Sequence, residues 1–127
     1  KWVTHEFPSD VRVVPVAGAT HVSFALEGKH VTEIVAVDRQ GKWRAQKLSG
    51  EAAQRCIPVV GQNVSAYRIG DQNYAFSGLM GVWDSIDGST AASVSEDTAM
   101  IVATDRISVF SAQTGAWAES PVLVLTD

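Results

Sequence analysis

Tryptophan recurs in this chain at positions 2, 43, 83 and 117, in steps of 41, 40 and 34 residues. Three of the four close a Gly-x-Trp triplet: Gly41-Lys42-Trp43, Gly81-Val82-Trp83 and Gly115-Ala116-Trp117. Trp2 fits the same register. A glycine supplies the φ > 0 that a tight hairpin turn needs without steric cost. A tryptophan just after it can open an outer strand, its ring covering one sheet and wedging against the next. The spacing therefore predicts an internally repeated all-β chain with tryptophans packed between sheets.

Runs rich in Val, Ile, Thr, Ser and aromatic residues alternate with Gly, Asp and Asn turns, which gives each repeat four strands, a to d. In the first repeat these are residues 11–17, 21–26, 31–38 and 43–48. In the second they are 56–60, 64–69, 74–78 and 83–86. In the third they are 92–95, 99–103, 107–111 and a last strand running from Trp117 to Leu125. The repeats divide one domain into 9–48, 51–87 and 90–125, with residues 2–7 as an extra N-terminal outer strand. Residues 51–55 are too few to stand as a helix. The b–c connections also correspond: Gly28-Lys29, Gly70-Asp71 and Thr104-Asp105. Asp71 and Asp105 each lie 12 residues before a tryptophan.

Units of this length and strand count, with a Gly-x-Trp turn before the outer strand, resemble β-propeller blades. The c–d turns are similar to the aspartate-x-x-threonine-glycine-x-tryptophan turn of kelch-like and PQQ-like propellers. Ala112-Gln113-Thr114-Gly115-Ala116-Trp117 matches best and Asp38-Arg39-Gln40-Gly41-Lys42-Trp43 next. The turn ending at Trp83 is degenerate, and the double glycine of kelch repeats is missing. Propellers close with about four to eight blades. The resemblance thus implies that three blades close by homodimerisation into a six-bladed ring with a twofold axis. Either residues 2–7 or the strand after Trp117 would then lie at the junction. A chain that opens on Lys1 reads as processed, or as a piece of a longer multi-blade protein. The alternative fold is a β-sandwich of about nine to twelve short strands, with the tryptophan spacing incidental.

Other function classes are disfavoured by the sequence. The net charge is −4 with both signs interspersed, without the basic stripe of a nucleic-acid binder. No apolar run approaches the roughly 20 residues of a membrane span. Cys56 is the single cysteine, so no disulfide forms within the chain; beside Ile57, Val59 and Val60 it is expected to be a buried thiol. His5, His21 and His30 lack metal-ligand spacing, and neither a metal nor a cofactor is expected. His21 and His30 are expected to be solvated. Residues 84–89 lack the glutamate that closes a calcium loop. Neither a nucleophile elbow nor a phosphate loop is present. Asn63-Val64-Ser65 is a glycosylation triplet, relevant in a secreted eukaryotic protein.

The propeller resemblance also implies a site by position, because ligands gather on the rim formed by the b–c and d–a loops. That rim would include Lys29, His30, Asp71, Asn73, Asp105 and Arg106, to which the d–a loops would add Ser9, Asp10, Glu51, Gln54, Asp87 and Ser89. Turns recruit such residues for their own conformational needs, so the rim is a candidate rather than a motif. The expected function is a non-catalytic binding or scaffolding module that homodimerises and takes a carbohydrate or protein ligand. One alternative is a lectin whose exposed tryptophans stack sugars. The other is a hydrolase or lyase with scattered Asp, His and Arg at the channel mouth.

Overall fold

The computed structural model describes residue 2 and residues 4–50 and 53–121. Among them there are thirteen strands and no helix. The first sheet has β1 (Arg12–Ala17), β2 (Val22–Val31), β3 (Glu33–Val37) and β4 (Trp43–Lys47) in that order, with β5 (Ala53–Cys56) joined to β2. The second has β6 (Val59–Val60), β7 (Val64–Ile69), β8 (Gln72–Ser77) and β9 (Val82–Asp87). The third has β10 (Ser93–Val94), β11 (Thr98–Val102), β12 (Arg106–Ser111) and β13 (Ala116–Pro121). Every pairing is antiparallel; the second and third sheets are meanders, and the first is a meander of β1 to β4 with β5 added on β2.

The three c–d turns share a construction. Gly41, Gly81 and Gly115 have φ of 80°, 69° and 68°, a region other residues enter only with strain. The residue that opens each turn caps it with its side chain. Asp38 Oδ1 accepts from the amides of Gln40 and Lys42 at 2.9 and 3.0 Å. Ser77 Oγ accepts from the Met80 amide at 2.9 Å, and Ser111 Oγ from the Gln113 amide at 3.2 Å. The tryptophan then pairs with a residue at or next to the end of strand c: Trp43 with Val37, Trp83 with Phe76, Trp117 with Phe110.

The sheets also join one another by repeated contacts. Trp83 Nε1 donates to the Arg44 carbonyl at 3.0 Å, and Trp117 Nε1 to the Asp84 carbonyl at 3.2 Å. In both cases the acceptor follows the tryptophan of the preceding sheet. At the a–b turns, the Thr20 amide donates to the Gln62 carbonyl at 3.2 Å and the Asn63 amide to the Glu96 carbonyl at 2.8 Å. A Cβ on Gly81 would lie 2.6 Å from Asp38 Oδ2, and one on Gly115 would strike Val82. These two glycines thus serve the close approach of sheets as well as the turn.

Two apolar layers fill the junctions. Phe24, Leu26, Ile34, Val35 and Cys56 of the first sheet pack with Tyr67 and Tyr74 of the second. Val64, Ala66 and Ala75 of the second pack with Ala99, Phe110 and Ala112 of the third. Tyr67 also mends a gap in the first sheet. β2 pairs with β3 only through Val22 and Ser23, then with β5 from Leu26 onward. Phe24 falls between, and the Tyr67 hydroxyl donates to its carbonyl at 2.7 Å and accepts from its amide at 3.2 Å.

Several sequence expectations need correction. Gly28-Lys29 is not a b–c turn: β2 continues to Val31, with a register irregularity between Glu27 and Val31. The expected strand 56–60 is split at Ile57 and Pro58, and β5 belongs to the first sheet. The N-terminal outer strand is not formed by Trp2 or residues 4–7. Instead His5 stacks on Trp43 at 5.1 Å and Phe7 packs on Phe24 at 5.7 Å, which covers the outward face of the first sheet. Trp2 lies outside the strands and is 96% exposed. β13 is described to Pro121; Glu51 and the expected extension through residues 122–125 lie outside the described residues.

Candidate functional site

The two-residue turn Gly70-Asp71 sets the register of β7 and β8, which places Arg68 directly across from Asn73. Both lie on the face of the second sheet that is turned toward the third. Asn73 is fully buried. Its Nδ2 donates to the carbonyls of Gly88 and Thr90 at 3.0 and 2.9 Å. Two carbonyl acceptors fix the orientation of the amide, since only an NH₂ can serve both. Asn73 Oδ1 therefore remains as an acceptor, and among the described residues it has no partner.

Asn73 lines a cavity of about 360 Å³ between the second sheet and the β9–β10 connection. Arg55, Arg68, Ile57, Val59 and Ala66 line it too. Two arginines thus border an apolar wall. Glu27 approaches Arg55 at 3.6 Å, both side chains being well exposed. Arg68 Nη1 donates to the Gly70 carbonyl at 3.3 Å. Most donors of both arginines remain available to an acceptor in the cavity.

The other rim residues do not share this cavity. Lys29 lines a second one with Asp10, Arg12, Glu27, Gln54 and Arg55, of about 440 Å³. His30 lines a third, beside His5 and Phe7 over the first sheet. Asp71 and Asp105 are exposed turn residues. Arg106 is tied to Glu119 at 3.5 Å and to the Asp87 carbonyl at 3.4 Å. Arg55 is common to the first two cavities and was not among the expected rim residues. Arg68 was also missed, though the two-residue turn beside it implies its place opposite Asn73.

His21 is buried at 4% exposure, contrary to the solvated position expected of it. Its Nε2 lies 2.6 Å from Ser65 Oγ, and Ser23 Oγ donates to the same oxygen at 2.6 Å. All three side chains are buried, and this chain of hydrogen bonds links the first sheet to the second. Burial holds His21 below its ordinary pKa. Burial alone would raise Asp38, but hydrogen bonds from the Lys42 amide, the Arg44 guanidinium and the Gln40 amide outweigh it and hold the carboxyl low. Among the described residues no cluster of His, Cys, Asp and Glu could hold a metal ion, and no helix is long and apolar enough to cross a membrane. No family model matches the chain, and neither a curated protein nor a solved structure matches it.

Proposed function

We propose that the chain is a non-catalytic binding or scaffolding module of the β-propeller kind, and that two copies assemble through the open face of the third sheet. One observation carries the proposal. Equivalent cross-strand pairs recur in all three sheets: Ser23 with Ala36, Ala66 with Ala75, Met100 with Val109. The first two pairs are small and buried, each covered by the sheet that follows. The third pair is larger, and Met100 is 41% exposed, with Val102 beside it at 58%. An apolar face built like a junction but lacking its next sheet favours association.

Ring closure seats that face on the first sheet of a second copy, in place of the His5 and Phe7 side chains that cover Trp43 and Phe24 there. Six sheets around a twofold axis would leave no open end. Trp43, Trp83 and Trp117 are half-buried and packed on Phe24, Phe76 and Phe110. This supports a packing role for the rings rather than a sugar-stacking one.

Light scattering coupled to size exclusion tests the proposal. The expected mass is that of two chains. Met100→Asp with Val102→Asp should yield a folded monomer, because burying each apolar side chain is worth about 1.5–3 kcal/mol. A monomeric mass for the unaltered chain, or a dimer indifferent to both aspartates, would overturn it.

A further inference from the structure

We propose that residues 4–7 are an autoinhibitory strap. His5 and Phe7 occupy the face of the first sheet that the third sheet of a second copy must reach, so release of the strap gates assembly. The inference rests on the association proposed above and adds what controls it.

Equivalence among the sheets identifies that face. Trp83 and Tyr67 lie on the side of the second sheet that meets the first: Trp83 Nε1 reaches the Arg44 carbonyl, and the Tyr67 hydroxyl reaches the backbone of Phe24. Trp117 lies on the side of the third sheet that meets the second, its Nε1 on the Asp84 carbonyl. The counterparts in the first sheet are Trp43 and Phe24, stacked at 5.3 Å as Tyr67 packs on Trp83 at 5.8 Å. Among the described residues no sheet precedes the first. The turns record the same vacancy. A Cβ on Gly81 or Gly115 would run into Asp38 or Val82, which belong to the preceding sheet and its turn. One on Gly41 would meet nothing within 4 Å among the described residues. The turn is open where a neighbour fits, yet the rings beside it are covered.

The cover is the chain's own N-terminal segment. His5 stacks on Trp43 with 22° between the planes, and Phe7 packs on Phe24 at 5.7 Å and edge-on to Trp43 at 6.4 Å. His5 and Phe7 are half-buried while Thr4 and Glu6 are exposed, the alternation of an extended segment laid with one side down. Residues 4–7 join no strand ladder, so lifting them leaves the backbone pairing of the first sheet intact. A turn closed by the Val11 amide on the Pro8 carbonyl at 3.0 Å separates them from β1 and provides the pivot. A segment tethered so closely competes at an effective concentration on the order of millimolar. Association must displace it first, and the apparent affinity falls by the fraction of chains in which it is lifted.

Sedimentation over a dilution series tests the strap by measuring the dimer Kd of three chains: the intact one, His5→Ser with Phe7→Ser, and Glu6→Ser on the exposed side of the strap. Loss of both rings should tighten association at least about tenfold, a gain of about 1.4 kcal/mol. Glu6→Ser should leave it unchanged. Circular dichroism verifies that the double variant keeps its strands. A second measurement needs no variant. Diethyl pyrocarbonate should modify His5 of the intact chain faster at protein concentrations above the Kd than below it, because the strap is lifted in the dimer. A dimer whose Kd is unchanged or weakened by loss of both rings would overturn the strap's role and leave the assembly standing. So would a dimer in which His5 is as protected as in the monomer. Absence of association in the intact chain and the double variant alike would overturn the assembly reading, and this inference with it.

Discussion

Tyr67→Phe is a narrow perturbation of the junction between the first two sheets. It removes one oxygen and keeps the ring against Trp83, 5.8 Å between centroids. That oxygen serves both backbone groups of Phe24, donating at 2.7 Å and accepting at 3.2 Å. Neither group has a ladder partner on that side, because β2 is there between β3 and β5. Tyr67 is fully buried, so water does not simply replace the hydroxyl. A lost hydrogen bond costs about 0.5–1.5 kcal/mol, and a buried group left unpaired about 1–3 kcal/mol. With two groups exposed to that loss, the variant should be destabilised by about 2–3 kcal/mol. For a chain of this length that corresponds to a fall in Tm of roughly 6–15 °C. Calorimetry and guanidinium unfolding, with an unchanged m value, would measure it. Tyr74→Phe is the internal comparison: among the described residues its hydroxyl accepts from the Ser49 amide alone, at 2.7 Å, and the substitution should cost about half as much. A Tyr67→Phe loss no larger than that of Tyr74→Phe would refute the assignment of the hydroxyl as the bridge across the gap in β2.

Stability should depend on pH through His21. Its folded-state pKa lies below the ordinary 6.5, so the unfolded chain binds more protons in the window beneath 6.5 and stability falls as pH drops through it. Unfolding midpoints on either side of that value should diverge, and His21→Gln should flatten the difference; a slope unchanged by the substitution would count against it. Asp38 adds a second, more acidic loss, because its depressed pKa contributes stability above 3.8 that disappears as pH falls through the folded value. The Cys56 thiol is buried and pushed up to about 11 by that burial, so thiol reagents should modify the native chain far more slowly than the unfolded one. Labelling at equal rates with and without denaturant would contradict its placement.

The glycines and tryptophans made the three c–d turns legible because their roles are local. A Gly-x-Trp turn requires φ > 0 at one position and an aromatic residue at the next outer-strand start, and both leave a mark in sequence. Strand order followed from the short connections. What sequence did not reveal depended on contacts between repeats. Gly28-Lys29 has the composition of a turn, yet β2 runs through it because β5 offers Leu26 and Glu27 a ladder on the far side. Nothing near residue 28 announces a partner that lies at residues 53–56. His21 stands in a polar-looking a–b turn, but the second sheet brings Ser65 to it and closes it from solvent. The same reasoning explains the mixed reading of the cavity. The pairing of Arg68 with Asn73 was reachable, since the Gly70-Asp71 turn sets it. Arg55 was not, because it reaches the cavity from a connecting strand that had no counterpart in the repeat. The c–d turns fix the contacts that link one sheet to the next, whereas Arg55 comes beside Arg68 from β5, a strand whose place on β2 those turns do not set.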